Sequence, residues 1–158
     1  MLVYRISECR YIKDLSGRGA ALFGGRWNSK DVYMVYTSQS GALALLEAVV
    51  HIGRVPKAGL YCMATIDIPD SSIESFPVEN LPVGWQNNPP PDHLKNVVDY
   101  FIRSNVHVAL KVPSVLMAEE YNFLLNPAHP EFKKVKIVTE RTIMVDERLF
   151  SASSSHKS

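Results

Sequence analysis

The chain has 158 residues and a formal charge of +1, from 17 Lys and Arg against 16 Asp and Glu. With 46% hydrophobic and 21% charged residues it sits at the average of globular proteins, which excludes a disordered chain, a collagen-like repeat and a small disulfide scaffold. The near-zero charge argues against nucleic-acid binding through a strong basic field.

Leu2–Arg5 reads as a short strand, and Tyr11–Ser29, broken by glycine and serine, as a long ordered loop. Val32–Thr37 is β-branched and aromatic, a buried strand. Ser38 or Ser40 caps a helix running to about Ile52, with Gly53 just past its end. Leu60–Ile68 is a second apolar strand, and Asn87–Asp92 a proline-rich surface loop. Asp92 caps a helix over Leu94–Arg103, whose apolar residues follow the helical period, and Asn105 stops it. His107–Val112, Lys134–Thr139 and Thr142–Val145 read as later strands. Strands and two solid helices without βαβ alternation predict an α+β fold in one domain over residues 1–150. The polar stretch Ser151–Ser158 is predicted to be a disordered tail.

Cys9 and Cys62 are far apart in sequence and form no C-x-x-C pair, which fits two thiols in a reducing compartment. No signal-peptide pattern opens the chain, and the apolar segment Ala42–Ile52 is too short to span a bilayer. The expectation is a cytoplasmic protein.

Gly17-Arg-Gly-Ala-Ala-Leu22 lacks the third glycine of a dinucleotide fingerprint, and no phosphate-binding P-loop occurs. Glu47 and His51 lie four apart on one helix face, but two ligands make no metal site, and none is expected. Glu47 is the most informative residue. Its helix is apolar all round, which reads as buried, and a carboxylate there must be paired, protonated or lining a cavity. A structural ion pair with an arginine and a catalytic carboxylate facing a pocket are both open readings. In Phe23-Gly-Gly-Arg26-Trp-Asn28, two glycines permit close backbone approach to a ligand, and Arg26 matches a phosphate or carboxylate. The plain alternative is a turn with Arg26 in solvent. Ser114, after a strand and a proline, either presents its hydroxyl or caps a turn. Asn122 and Asn126 flank a segment that either caps a short helix or supports a site.

Taken in order, Tyr4-Arg5, Leu15–Ala20, Gly25–Asn28, Val35–Ser38 with Ala44 and Glu47, Leu81-Pro82 with Trp85, Val112–Val115, Asn122 with Leu125–Pro127, and His129-Pro130 resemble the RES domain, the toxin half of RES–Xre toxin–antitoxin pairs. The resemblance runs from Tyr4 to about Phe132. The arginine, glutamate and serine that name the domain correspond to Arg26, Glu47 and Ser114.

This resemblance implies an ADP-ribosyltransferase-like fold, a split, mainly antiparallel β core with flanking helices. It implies an enzyme that consumes NAD+ as substrate, without a metal, by breaking the nicotinamide–ribose bond. Under it, Glu47 stabilises the charge developing on the ribose, Arg26 clamps the pyrophosphate, and Tyr36 stacks on or bonds to the substrate. Ser114 orients Glu47 or contacts the ribose, while Arg5, Asn28 and Asn126 support binding. No Glu-x-Glu pattern accompanies Glu47, which favours NAD+ breakdown over arginine modification. The implied partners are a separate Xre-family antitoxin and a second copy of the chain, with neither nucleic acid nor membrane. A protein ADP-ribosyltransferase and a non-catalytic nucleotide- or partner-binding module are the competing readings.

Overall fold

The computed structural model describes residues 1–53, 56–57 and 59–150. The tail predicted to be disordered, 151–158, lies outside them. The fold is α+β. Its strands are β1 (Leu2–Glu8), β2 (Val35–Ser38), β3 (Tyr61–Asp67), β4 (Ile73–Ser75), β5 (Ala109–Pro113), β6 (Tyr121–Leu125) and β7 (Lys136–Thr142). Among the described residues three α-helices accompany them: α1 (Arg18–Phe23), α2 (Gly41–Ile52) and α3 (Lys95–Ser104).

The strands form one sheet in the order β4-β5-β6-β2-β1-β3-β7. Every pairing is antiparallel except β4 with β5. The sheet is nearly two sheets. β1 runs in register with β3 along its whole length, and β2 with β6, but β1 and β2 meet only at Tyr4 opposite Ser38. Strands that share so little ladder splay apart, and the gap opens a cleft at the seam.

Alternation along the strands builds two cores, one on each face. Val3, Val35, Ala64, Ile66, Phe123 and Leu125 belong to one. Met34, Leu110, Val112 and Leu124 join Trp27 and the α3 residues Val98 and Phe101 in the other. The helical period read over Leu94–Arg103 is the stripe that seats α3. Its first turn differs from expectation: Asp92 opens a 3₁₀ turn and makes no side-chain cap. Asn105 ends α3 in the left-handed conformation, φ 49°.

The signals for α2 are met at both ends. Ser40 accepts a hydrogen bond from the Leu43 amide at 3.0 Å, and Gly53 closes the helix with φ 65°. Ser40 also donates to Glu120 at 2.8 Å. Ser40→Ala should therefore cost about 1 kcal/mol. A thermal melt should fall by roughly 2–4 °C; an unchanged melt would show the cap to be idle.

Five expectations are corrected. The helix α2 is not buried all round: Leu43 and Ala44 are its buried residues and Val50 is 58% exposed. It lies against the seam with its other side open, so its apolar residues line a cleft instead of a core. The loop read over Tyr11–Ser29 contains α1. A single strand, β7, replaces the two read near the end, and the segment around Asn122 is the strand β6, not a helix cap. Cys9 and Cys62 are not separate thiols but a disulfide, with Cα atoms 4.7 Å apart. The β1–β3 register sets Ser7 opposite Cys62, so the turn beginning at Cys9 brings the two sulfurs together. Distance in sequence thus carries no argument about compartment. Among the described residues no helix is long and apolar enough to cross a membrane.

Candidate active site

A cleft of about 810 Å³ opens at the seam, within the range of small-molecule and cofactor sites. Its floor comes from Tyr4–Ile6 of β1 and Tyr36–Ser38 of β2, one wall from Glu47 and Ala48 of α2, and another from Gly24–Trp27. The proline-rich loop closes it through Gln86 and Asn88–Pro90.

Glu47 projects from α2 into this cleft, and one of its oxygens is held twice. Oε1 accepts from Ser114 Oγ at 3.0 Å and from Asn122 Nδ2 at 2.6 Å. Among the described residues, Oε2 accepts no hydrogen bond and Glu47 has no ion pair. Of the two readings open for this carboxylate, the geometry thus favours the one that faces a pocket. Ser114 is 1% exposed, and its Oγ also accepts from the Leu116 and Met117 amides, at 3.0 and 3.3 Å. Its hydroxyl is committed to Glu47 and to the turn. The imidazole of His51 donates from Nδ1 to the Glu47 carbonyl at 2.7 Å, one turn back, so this pair is helical backbone bonding. Among the described residues no group of three His, Cys, Asp or Glu could hold a metal ion.

Arg26 reaches into the cleft from the Gly24–Trp27 wall. Its Nη1 donates to the carbonyls of Trp85 and Asn87, at 2.8 and 3.0 Å, and so ties the proline-rich loop to the site. Partial burial lowers its pKa from the ordinary value, opposed by the negative charge of Glu47. Trp27 is core, 6.2 Å from the ring of Trp85.

Tyr36 donates to Asn28 Oδ1 at 2.6 Å and accepts from the Trp27 amide at 3.3 Å. Burial holds its phenol well above the usual range, so it stays a donor at neutral pH. With both hydroxyl contacts taken inside the protein, Tyr36 offers the cleft its ring. Asn28, wholly buried, donates to the carbonyls of Ala20, Ser29 and Val32 and so fixes the turn that carries Arg26. Gly25 is required beside this pair: a Cβ there would lie 2.8 Å from Tyr36 Oη and 2.9 Å from Asn28 Oδ1.

Two other expected binding residues fall differently. Arg5 donates to the carbonyls of Ile12 and Asp14, at 3.2 and 2.6 Å, and burial lowers its pKa. It borders both the cleft and a smaller hollow of about 170 Å³ shared with Asp14 and Gly17. Asn126 is not brought to the cleft. It is 2% exposed, donates to Asn105 at 3.0 Å and accepts from the Ala128 amide. Asn122 holds the position at the site, four residues back along β6, roughly 13 Å away. The pairing of Ser38 with Asn122 puts it there. The sequence offered Asn122 and Asn126 together, as a pair that could support a site and as pieces of the family resemblance, without separating them.

The RES domain family model matches residues 2–147. A protein of Sphingobium sp. (strain YBL2) called "Prs ADP-ribosylating toxin" is 40% identical over 139 residues, 86% of each chain. A "Toxin Res" of Photorhabdus laumondii subsp. laumondii is 31% identical over 96% of this chain and 99% of its own. Another "Toxin Res", from Yersinia enterocolitica, is 35% identical over 84% of this chain and 88% of its own. In fold, the chain is similar to a solved chain described as "Crystal structure of the M.tuberculosis MbcT-MbcA toxin-antitoxin complex", with TM-score 0.61 and 16% identity over 90% of this chain and 84% of that one. The split sheet, the ordered motifs with their arginine, glutamate and serine, and a family match over nearly the whole length agree: the chain belongs to the RES domain family.

Proposed function

We propose that this protein is the toxin of a toxin–antitoxin pair and breaks the nicotinamide–ribose bond of NAD+. The observation that carries the reading is Glu47, a carboxylate anchored through one oxygen and facing a cleft that Arg26 also enters. In the reaction, the C1′–N bond breaks and its electron pair leaves with nicotinamide, neutralising the pyridinium. The departing group therefore needs no proton. The ribose becomes oxocarbenium-like, as in glycoside cleavage. Glu47 faces that developing positive charge, and its fixed orientation avoids reorganisation during the step. Arg26 holds the pyrophosphate with the N–H groups its loop contacts leave over. The ring of Tyr36 supplies a stacking surface, and Asn28 keeps that ring in place. Water or phosphate then takes the ADP-ribosyl group. In the cell, NAD+ depletion would arrest growth until a separate Xre-type antitoxin blocks the site. The proposal includes a cytoplasmic location, where the NAD+ pool it would consume lies, and a homodimer, which rests on the family resemblance alone.

The relative named for ADP-ribosylation favours a second reading, in which a protein side chain is the acceptor at the same site. One experiment separates the two. Purified protein is incubated with NAD+ labelled in the adenylate, with and without phosphate and with a cell extract, and nicotinamide and label are followed by chromatography and gel. Nicotinamide release with label in small molecules alone supports breakdown. Label on a protein supports transfer. NAD+ untouched in every arm would overturn both. Arg26→Ala should raise KM for NAD+ by roughly 10- to 100-fold, the range of a lost hydrogen bond to a charged group. An unchanged KM would remove Arg26 from the pyrophosphate.

A further inference from the structure

Glu47 Oε1 has two donors, and the second of them, Asn122, has no place in the arginine–glutamate–serine set. An asparagine amide can face a carboxylate either way round. With Oδ1 forward it would set oxygen against oxygen; with Nδ2 forward it donates. The carboxylate, which only accepts, requires Nδ2 forward, and Ser38 braces the amide from behind in that orientation. Its hydroxyl donates to Asn122 Oδ1 at 2.7 Å, which leaves Nδ2 for Glu47 Oε1 at 2.6 Å. Ser38 and Asn122 are 4% and 9% exposed, and the bond between them is buried beneath the cleft. They are direct partners across β2 and β6. Ser38 is also the residue at which β2 meets β1, opposite Tyr4. The chain of bonds therefore starts at the one point where the two parts of the sheet are joined.

We propose that Asn122, with its amide braced by Ser38, is a positioning residue that selects which oxygen of Glu47 the substrate meets. Asn122 and Ser114 together hold Oε1 and fix the plane of the carboxylate, so that Oε2 is presented to the reacting ribose. Ser114 alone leaves the carboxylate free to pivot about the Ser114–Oε1 bond. This inference rests on the NAD+-cleavage reading for its kinetics and on the geometry alone for its structure.

The test has a kinetic and a structural arm. Asn122→Ala should lower kcat by roughly 10- to 100-fold with KM for NAD+ nearly unchanged. In a Glu47→Gln background, the same change should cost less than about 3-fold, because the carboxylate it positions is gone. A merely structural asparagine would cost the same in both backgrounds, and that result would overturn the proposal. Ser38→Ala should lose rate in the same direction, and Ser38→Thr, which keeps the hydroxyl, should recover most of it. Failure of that rescue would remove Ser38 from the chain. The structural arm is a crystal structure of Asn122→Ala. The Glu47 carboxylate should be rotated or spread over two orientations. An unmoved carboxylate overturns the proposal even if the substrate is not NAD+. Intact NAD+ with wild-type protein overturns the functional reading, yet leaves the structural arm to decide this one.

Discussion

Glu47→Gln should lower kcat for NAD+ cleavage by roughly 10²–10³-fold, the scale of losing one preorganised electrostatic partner. Glutamine matches glutamate in shape, and its carbonyl oxygen accepts the same bonds from Ser114 and Asn122, now 3.0 and 2.6 Å from Oε1. Those donors dictate which way round the amide sits. Its NH₂ then occupies the place of Oε2 and turns a positive edge toward a positive transition state. The variant should fold as the wild type does, because both anchoring bonds survive. The check is nicotinamide release at saturating NAD+ beside a thermal melt. Wild-type turnover from a normally folded variant would mean that Glu47 does not face the reacting carbon. A collapsed melt would mean that the carboxylate charge is part of what holds α2 to β6.

Gly17→Ala should be the most damaging single-methyl change outside the cleft. Gly17 precedes α1 with φ 74°, a left-handed conformation that costs a side chain about 1–2 kcal/mol. A Cβ there would also lie 2.5 Å from the backbone nitrogen of Met34, and that neighbour is main chain entering β2. Neither α1 nor β2 moves cheaply, since Met34 is buried against the α3 core. The two effects together should cost about 2–4 kcal/mol. In a chain of this size the melting temperature should fall by roughly 5–15 °C. Gly19→Ala is the control, because a Cβ there meets nothing within 4 Å. Equal melts for the two variants would show that the turn relaxes freely.

The sequence carried what is local. Ser40 and Gly53 mark the ends of α2 because capping is settled within one helical turn. The stripe of α3 is visible because its period is a property of neighbouring residues. Glu47 stood out because a carboxylate in an apolar helix needs an explanation wherever the helix goes. The ordered motifs pointed to the family, and the family match agrees.

Pairing across long separations was hidden, because a register depends on strands that are remote in sequence. β6 gave no alternating pattern, since Asn122 to Leu125 are buried on both faces and a doubly buried strand has no polar side. Asn126, beside its prolines, looked as suitable for the site as Asn122; the pairing of Ser38 with Asn122 separates them. The same holds for Cys9 and Cys62, which meet through the β1–β3 ladder, and for the open side of α2, which reads as core until the sheet parts beneath it. Residue types name the chemistry that is available. Which of those residues share one cleft follows from how β1 and β2 diverge after Tyr4 and Ser38, a contact between segments more than thirty residues apart.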